Sequence, residues 1–344
     1  MNIIDLFSGV GGLSFGFEQN GYKNILSLDN WDNAIETYNH NRKDKNGLVQ
    51  DIRHFNKKYL RSYIKNYEIT GVVGGPPCQG FSTARLSDTT KKIQNINLDR
   101  NSLVFDFFET VKIVKPKFFV IENVRGMINI NNGKFLHDVI KLFNSIGYNI
   151  TYELIDSSDY QIPQVRKRLF IVGLINNFFV FPIKFAKKIS SYDALSDLPP
   201  NTSEEYFKSA KSKYQKEMRK NNTILHNHVI TNHDVKTINI ISKVPNGGSI
   251  KDLPKSYWKV RKFNKAFQRM DRNFPALTID TGHRNYFHYK LPRIPTVREC
   301  ARIQSFPDNF EFLGSKTSQY KQVGNAVPPK FAFELSKALS DQLE

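Results

Sequence analysis

The chain of 344 residues carries 50 Lys and Arg against 32 Asp and Glu, a formal net charge of +18 with a pI near 9.7. This length suits two domains, or one large domain with an insertion, and the charge favours a polyanionic partner such as nucleic acid. No run approaches the roughly 18 consecutive apolar residues of a membrane span, and two cysteines exclude a disulfide framework or a cysteine-based zinc site. We therefore expect a cytoplasmic protein without a membrane segment, a secretory signal or a metal centre.

The first half of the chain alternates short β-branched or aromatic runs with helical patterns. Helical spacing recurs over Trp31–Tyr38 and over Leu103–Val114, between runs that predict strands. The candidate strands are Asn2–Phe7, Asn24–Leu28, Gly71–Gly74, Lys117–Ile121, Asn149–Ile155 and Arg168–Ile175. This alternation predicts an α/β fold, with a doubly wound and mostly parallel sheet that binds ligands at the carboxyl ends of its strands.

The alternation stops after Ile175. From Val180 to about Arg293 the chain is rich in Lys, Asn and Ser, and its strand and helix signals are weak. Helical spacing returns over Thr296–Ser305 and in the last residues. We therefore predict a first domain over residues 1–178, a smaller inserted domain over 179–295, and a segment over 296–344 that completes the first domain. The stretch Thr83–Asp99 lacks periodicity, which indicates a functional or mobile loop.

A glycine-rich turn follows the first predicted strand directly, in the segment Asp5-Leu6-Phe7-Ser8-Gly9-Val10-Gly11-Gly12. Glycines let backbone N–H groups approach a ligand closely, and the start of a helix favours negative groups. Asp29 lies at the end of the next strand, where a carboxylate can accept hydrogen bonds from ribose hydroxyls. The dinucleotide fingerprint needs a third glycine where Ser14 stands. The motif therefore favours a nucleoside-type cofactor, with a structural turn as the alternative.

Two further strand ends carry reactive side chains. Cys78 lies between two prolines and a glycine just after the strand ending at Gly74, where a strand end can present a nucleophile. Cys300 lies within a helical pattern and fits a buried core position instead. Glu122 follows the apolar strand that ends at Ile121, and a carboxylate in such a place suits a proton donor. A helix cap at Asn123 is the alternative interpretation.

The segment Gln164-Val165-Arg166-Lys167-Arg168 opens another predicted strand. Alternation along a strand sends Arg166 and Arg168 to the same side, as the anchoring of an anionic or carbonyl-bearing ligand requires. A solvated basic edge is the alternative for this segment.

In this order the motifs resemble those of the DNA (cytosine-5)-methyltransferase family, over almost the whole chain. Asp5–Gly12 resembles the first motif of the family, which binds S-adenosylmethionine. The remaining matches are Pro76–Gln79 for the nucleophile motif, Glu122–Val124 for the acid motif, Gln164–Arg168 for the Gln-x-Arg-x-Arg motif, Thr296–Pro307 for the ninth motif and Gln322–Pro329 for the tenth. The resemblance implies the S-adenosylmethionine-dependent methyltransferase fold, with a target-recognition domain in the irregular insertion.

The resemblance also implies a covalent mechanism on cytosine. The Cys78 thiolate adds to carbon 6, Glu122 stabilises the ring at nitrogen 3, and Arg168 with Arg166 orients the base. A stacked cytosine cannot present its face to a thiol, so the base must be flipped out of the duplex.

The family likeness assigns further residues to the cofactor and to DNA. The predicted cofactor-binding residues are Asp5, Phe7, Gly9, Gly11, Gly12, Asp29, Trp31, Asp51, Ile52, Pro77, Leu103, Asn325 and Val327. The predicted DNA-binding residues are Gln79, Ser82, Arg261, Lys262, Arg269 and Arg272. The family often has Glu-Trp in its second motif where this chain has Asp29-Asn30-Trp31, so either Asp29 or Asn30 meets the ribose.

The segment from Val180 to Cys300 holds 23 Lys and Arg against 10 Asp and Glu, a net +13. This concentration of charge supports double-stranded DNA as the partner of the insertion. The compact length resembles stand-alone prokaryotic modification enzymes, which implies a monomer that is functionally paired with a cognate restriction endonuclease.

Three alternatives stay open on the sequence. A tRNA cytosine methyltransferase would be expected to show a Cys-Phe-Thr signature, whereas Cys300 is followed by Ala301. A nicotinamide oxidoreductase would use the glycine-rich turn but has no role for Cys78 or Glu122. A non-catalytic DNA-binding relative would be favoured by loss of either residue, and both are present.

Overall fold

The structure is a computed structural model and describes residues 1–55, 57–77, 103–260, 268–282 and 286–343. It divides into two compact units. The first unit comprises Met1–Asp156, Lys167–Ile183 and Phe331–Glu344, and the second comprises Ser157–Arg166 and Lys184–Lys330. Residues 296–330 thus belong to the second unit, whereas the sequence analysis groups them with the first domain. The functional boundaries of the recognition domain stay a prediction.

Strands and helices alternate through the first half of the described chain. The strands are β1 (Asn2–Leu6), β2 (Lys23–Asp29), β3 (Gly47–Val49), β4 (Ile69–Gly74), β5 (Phe118–Val124), β6 (Asn149–Asp156), β7 (Gln164–Val165), β8 (Lys167–Leu174), β9 (Gln268–Arg269), β10 (Ala276–Leu277) and β11 (Tyr286–Phe287). The α-helices are α1 (Gly12–Gln19), α2 (Asp32–His40), α3 (Lys57–Asn66), α4 (Leu103–Val114), α5 (Lys134–Asn144), α6 (Ser191–Leu195), α7 (Lys213–Arg219), α8 (Val235–Lys243), α9 (Val297–Ile303), α10 (Lys316–Asn325) and α11 (Pro329–Leu343).

A seven-stranded sheet organises the first unit, in the order β3-β2-β1-β4-β5-β8-β6. All neighbouring pairs are parallel except those of β8, which runs antiparallel to both β5 and β6. Strand β4 is buried along its whole length, as is typical of a central parallel strand covered on both faces. The predicted α/β class and mostly parallel doubly wound sheet are confirmed.

The strand order reverses between β1 and β4, and this reversal brings three of the sequence motifs to one edge of the sheet. Leu6 at the end of β1 lies beside Gly74 at the end of β4, and Gly74 lies beside Ile121 of β5. The glycine-rich turn therefore starts at the carboxyl end of β1, and the Pro-Pro turn starts at the carboxyl end of β4. Glu122 lies near the carboxyl end of the neighbouring strand β5. In open α/β sheets this switch point is where ligands bind.

Amphipathic helices cover the sheet because their apolar residues recur every three or four positions. Helix α5 buries Leu136, Val139 and Phe143 on one face. Helix α11 also belongs to the first unit, where Phe331 packs 4.7 Å from Phe170 between ring centroids. Among the residues described, no helix is both long and apolar enough to span a bilayer.

The second unit has little regular sheet among its described residues. Strand β7 pairs with β10 and β9 pairs with β11, both in parallel. Buried ion pairs replace part of the apolar core: Arg302, fully buried, contacts Asp197 and Asp308 at 2.6 Å each. Such pairs are costly to break because one charge would be left buried and unpaired.

Candidate active site

The glycine-rich turn is held by backbone contacts and by one carboxylate. Gly9 and Gly11 adopt left-handed φ values of 54° and 78°, which glycine tolerates without strain. The backbone N–H of Gly9 donates to Oδ2 of Asp29 at 2.8 Å, and the N–H of Trp31 donates to Oδ1 of the same carboxylate at 2.9 Å. Asp29 therefore fixes the turn and the start of α2 together.

The same contacts bear on which residue meets the ribose. Both oxygens of Asp29 accept backbone N–H groups, whereas the side chain of Asn30 is exposed at the end of β2. This placement gives Asp29 a positioning role and leaves Asn30 accessible to a ligand.

The turn combines a buried carboxylate with open space over a glycine. Asp5 is 1% exposed, and neither of its carboxylate oxygens has a hydrogen-bond partner within the part of the chain that the structure describes. Burial raises the pKa of Asp5 to about 7, opposed in part by the nearby hydroxyl and N–H donors of Ser14 and by the charge of Arg42. Open space lies above Gly9, since a Cβ built there would meet no atom within 4 Å. A buried acceptor beside an open backbone turn fits a ligand that carries positive charge and N–H donors.

The other predicted cofactor residues of the first unit lie in separate segments of the chain. The aromatic ring of Phe7 and the side chain of Ile52 are half-buried against the main core. Asp51 forms an ion pair with Arg53 at 2.6 Å, and this hydrogen bond lowers the pKa of the Asp51 carboxyl. Pro77 and Leu103 are the last and first described residues on either side of 78–102.

The predicted acid and one predicted arginine form a pair. Strands β5 and β8 place Val124 opposite Arg168, and Oε1 of Glu122 lies 3.2 Å from Nε of Arg168. The carboxylate also lies close to the Pro-Pro turn, because a Cβ on Gly75 would be 3.3 Å from Oε2 of Glu122. Both side chains of the pair retain some exposure, 12% for Glu122 and 20% for Arg168.

Asn123 ties this strand end to the segment that leads to the predicted nucleophile. Its side-chain amide donates to the carbonyl oxygen of Pro76 at 3.0 Å, and its Oδ1 accepts from the N–H of Val124. The peptide just before Pro77 is thereby fixed to β5. Cys78, Gln79 and Ser82 lie outside the described residues, as does the predicted loop Thr83–Asp99.

Arg166 is placed differently from Arg168. It is 1% exposed and belongs to the second unit, where its guanidinium donates to the carbonyl oxygens of Ile279 and Gly324 at 3.3 and 3.0 Å. These contacts join the Gln-x-Arg-x-Arg segment to the tenth motif. The placement favours a structural role for Arg166, in contrast to the predicted contact with the base.

The second unit also holds the tenth-motif residues predicted to bind the cofactor. Asn325 is the exposed last residue of α10, and Val327 is buried. Ala326 precedes Val327, and its carbonyl oxygen accepts a hydrogen bond from the side-chain amide of Gln304. The side-chain oxygen of Gln304 accepts a hydrogen bond from the amide of Gln164. The eighth, ninth and tenth motifs are thus linked by a chain of amide side chains.

The predicted DNA contacts separate into two kinds. Arg269 is 6% exposed, and its guanidinium donates to the carbonyl oxygens of Val244, Ile241 and His288. The Arg269 guanidinium therefore caps the end of α8, and its burial does not favour a contact with a DNA phosphate. Arg272 is exposed, with its guanidinium carbon 4.3 Å from the ring centroid of Tyr192. Arg261 and Lys262 lie outside the described residues.

Sequence reasoning missed Arg42, which contacts the glycine-rich turn directly. The residue opens the charged run Arg42-Lys43-Asp44-Lys45, a pattern typical of an exposed surface. No local signal distinguishes it from its neighbours. Across the described residues no cluster of three or more His, Cys, Asp or Glu side chains is arranged to hold a metal ion.

Comparison with known proteins identifies the family. A family model described as C-5 cytosine-specific DNA methylase matches residues 1–341. The chain belongs to this family. It is similar to the Type II methyltransferase M1.HphI of Haemophilus parahaemolyticus, with 34% identity over 98% of this chain and 86% of that protein. It is also similar to the Type II methyltransferase M.DdeI of Desulfomicrobium norvegicum, with 33% identity over 99% and 88% of the two chains.

Solved structures agree with this assignment. A prophage-encoded protein of Escherichia coli, assigned as a DNA modification methyltransferase, superposes with a TM-score of 0.83 and 27% identity, covering 100% and 99% of the two chains. The methyltransferase EhMeth of Entamoeba histolytica, at 18% identity and a TM-score of 0.62 over 100% and 99%, shares the fold. As a family member, the chain is an S-adenosylmethionine-dependent DNA (cytosine-5)-methyltransferase. This membership excludes the oxidoreductase alternative.

Proposed function

We propose that the enzyme methylates carbon 5 of a flipped-out cytosine in a specific duplex sequence, through a covalent adduct with Cys78. The observation that carries this proposal is the contact between Glu122 and Arg168 beside the Pro-Pro turn that leads to Cys78. Glu122 and Arg168 bring an acid and a cation together on adjacent strands. Once a thiolate has added to a cytosine ring, an acid can protonate nitrogen 3 and a cation can bind the carbonyl oxygen.

The roles of the side chains follow from the electronics of the ring. Carbon 5 is a poor nucleophile, and addition of the Cys78 thiolate to carbon 6 converts the ring into an enamine-like species. Glu122 shares a proton with nitrogen 3 and stabilises the charge that develops there. Arg168 donates to the carbonyl oxygen of the base and keeps the Glu122 carboxyl oriented. Once carbon 5 carries the methyl group, its proton passes to solvent, the bond between carbon 6 and the Cys78 sulfur breaks, and the aromatic ring is restored.

When bound, S-adenosylmethionine supplies the electrophilic methyl group that carbon 5 accepts. The residues proposed to hold it are those of the glycine-rich turn, Asp5 beneath it, Phe7 and Trp31 beside it, and Asn30 at the ribose. The buried carboxylate of Asp5 and the open space above Gly9 support this site. Asp29 orients the turn, and the family resemblance keeps Asn325 and Val327 among the proposed cofactor residues.

DNA recognition is assigned to the second unit. Its basic segment supplies phosphate contacts, and the exposed Arg272 is the described member of the predicted set best placed for one. Relatives bear the name Type II methyltransferase. We therefore place the enzyme in a Type II restriction-modification system, acting as a monomer and paired with an endonuclease that cleaves the same unmodified sequence. Bisulfite sequencing of DNA from expressing cells would identify that sequence.

The covalent step is tested by two cysteine variants. Cys78→Ser is expected to abolish transfer of tritiated methyl groups to DNA. Cys300→Ala is the matched control, because Cys300 is buried and burial raises the pKa of its thiol. Duplex DNA with 5-fluorocytosine at the target should trap the adduct, since fluorine cannot leave as a proton. Normal methylation by Cys78→Ser, or an adduct that maps to another residue, would contradict the proposal.

A further inference from the structure

Arg42 reaches from the end of α2 to the glycine-rich turn. One terminal guanidinium nitrogen donates to the carbonyl oxygen of Gly11 at 2.9 Å, and the other lies 3.5 Å from the carbonyl oxygen of Val10. The same side chain would be 2.6 Å from a Cβ placed on Gly11. The turn is therefore packed directly against this cation.

The guanidinium is itself held in place from two sides. Its Nε donates to both carboxylate oxygens of Glu18 at 3.1 and 3.0 Å, and its central carbon lies 3.7 Å from the ring centroid of Tyr38. The side chain is only 7% exposed. A planar cation fixed by a carboxylate and an aromatic ring loses little further entropy when it binds the turn.

This contact controls the orientation of a peptide at the start of α1. The Gly11 carbonyl also accepts the first helical hydrogen bond, from the N–H of Phe15 at 2.8 Å. In a trans peptide the N–H points away from the carbonyl, so holding the Gly11 oxygen turns the N–H of Gly12 outward from the helix. The Ser14 hydroxyl donates to the same oxygen at 3.3 Å, so Arg42 adds a charged donor to a carbonyl that two neutral donors already hold.

We propose that Arg42 is a positioning residue for the methyl donor, which orients the N–H groups at the start of α1 toward the carboxylate of S-adenosylmethionine. The inference rests on the proposed cofactor site. The open space at Gly9 of the same turn, where a Cβ would meet no atom within 4 Å, is an independent sign that a ligand belongs there. Arg42 acts through the turn and touches no reacting atom.

The test compares two ligands on the purified full chain without DNA, by isothermal titration calorimetry and competition binding. S-adenosylhomocysteine carries the amino-acid end of the cofactor, and 5′-methylthioadenosine lacks it. In Arg42→Lys, which keeps the charge but loses the planar fork, we expect the Kd for S-adenosylhomocysteine to rise about 10-fold, as loss of one charge-assisted hydrogen bond predicts. The Kd for 5′-methylthioadenosine should stay within about 2-fold of wild type, since the effect is confined to the carboxylate.

Tyr22→Phe is the control for a purely structural effect, because its hydroxyl bonds to Ser340 of α11. It should lower Tm while both Kd values stay unchanged. An equal loss for both ligands in Arg42→Lys, or no loss for either, overturns the proposal.

Gly9→Ala separates this proposal from the site on which it rests. The added methyl enters the open space above the turn and also strains a backbone with a φ of 54°, and both effects should weaken both ligands. Wild-type binding by Gly9→Ala overturns the cofactor site and this inference together. Weakened binding by Gly9→Ala with unchanged binding by Arg42→Lys overturns this inference alone.

Discussion

Oε1 of Glu122 lies 3.2 Å from Nε of Arg168, across the antiparallel strands β5 and β8. The two residues belong to separate sequence motifs, and each supplies the opposite charge beside the other. Arg168 holds the carboxylate in one orientation, while Glu122 holds the guanidinium at the sheet edge. Their contact joins the proposed acid to the proposed base-orienting cation, and it leads to the first two predictions.

Arg168→Lys should lower activity and Arg166→Lys should lower stability, although the two residues are only two positions apart. Arg168→Lys loses a directed donor at the site, so kcat/KM should fall by roughly 100-fold with little change in stability. Arg166→Lys leaves the buried carbonyls of Ile279 and Gly324 poorly paired. It should lower the free energy of unfolding by about 2–3 kcal/mol while folded enzyme keeps its kcat. Methyl transfer assays and urea unfolding measure the two effects, and equal losses of activity would contradict the distinction.

Glu122→Gln should lower kcat by roughly 10²–10⁴-fold, because the amide cannot share a proton with the ring. Binding of S-adenosylhomocysteine should stay unchanged. Asp138→Asn on α5 is the matched control, since its exposed carboxylate lies outside the proposed site. Single-turnover methylation measures the chemical step. A Glu122→Gln enzyme with normal single-turnover rates would remove Glu122 from the mechanism.

Arg272 and Arg269 should differ in DNA binding. Arg272→Ala should weaken binding to a duplex and reduce the slope of log affinity against log salt by about 1, as expected for one lost phosphate contact. Arg269→Ala should leave that slope unchanged and lower Tm, because the guanidinium caps the end of α8. Fluorescence anisotropy at several salt concentrations measures the slope. An unchanged slope in Arg272→Ala would argue against a phosphate contact there.

Asp5→Asn should change how stability depends on pH. The folded-state pKa of Asp5 is raised to about 7, above its ordinary value of 3.8, so ionising the buried carboxyl opposes folding. The variant should match wild type near pH 4, gain relative stability as pH rises to about 7, and keep a constant gain above that. The gain should be on the order of 4 kcal/mol, since each pKa unit corresponds to about 1.4 kcal/mol. Urea unfolding across this range is the measurement, and pH-independent differences would contradict it.

His288 should make the enzyme lose stability in mild acid. Burial lowers the pKa of His288 from 6.5 to about 4, and the positive charges of Arg293, Arg269 and His228 lower it further. The nearby Glu299 carboxylate raises the pKa and offsets part of this effect. Its Nδ1 accepts the N–H groups of Lys290 and Leu291, which favours the neutral ring. Because the unfolded state protonates first, stability should fall as pH drops from about 6.5 to about 4, by on the order of 2–3 kcal/mol.

His288→Asn keeps an acceptor for the same N–H groups but cannot protonate, so it should flatten that loss. His137→Asn, at an exposed position on α5, is the control and should leave the curve unchanged. A wild-type pH profile in His288→Asn would show that other groups cause the acid sensitivity.

The sequence by itself determined the fold class and the strands beside which the motifs lie. The helical spacing over Leu103–Val114 matches α4, and the glycine-rich and Pro-Pro turns follow β1 and β4 as predicted, because apolar periodicity and glycine or proline turns are local signals. Strand β5 extends to Val124, beyond its predicted end at Ile121, so Glu122 lies within the strand. Strand β3, of three residues, and helix α3, with its many Lys and Tyr side chains, were not predicted. Their patterns are too short or too polar to stand out from the surrounding loops.

The tertiary structure alone decided which polar side chains are buried and which residues they contact. Arg166 and Arg168 look equivalent in the sequence, yet one donates to buried carbonyls and the other contacts Glu122. Likewise, Arg269 caps a helix and Arg42 holds the glycine-rich turn, while Arg272 is exposed. The physical reason is that an arginine is compatible with burial wherever distant segments supply carbonyls or carboxylates to its five donors. Those partners come from parts of the chain that only folding brings together.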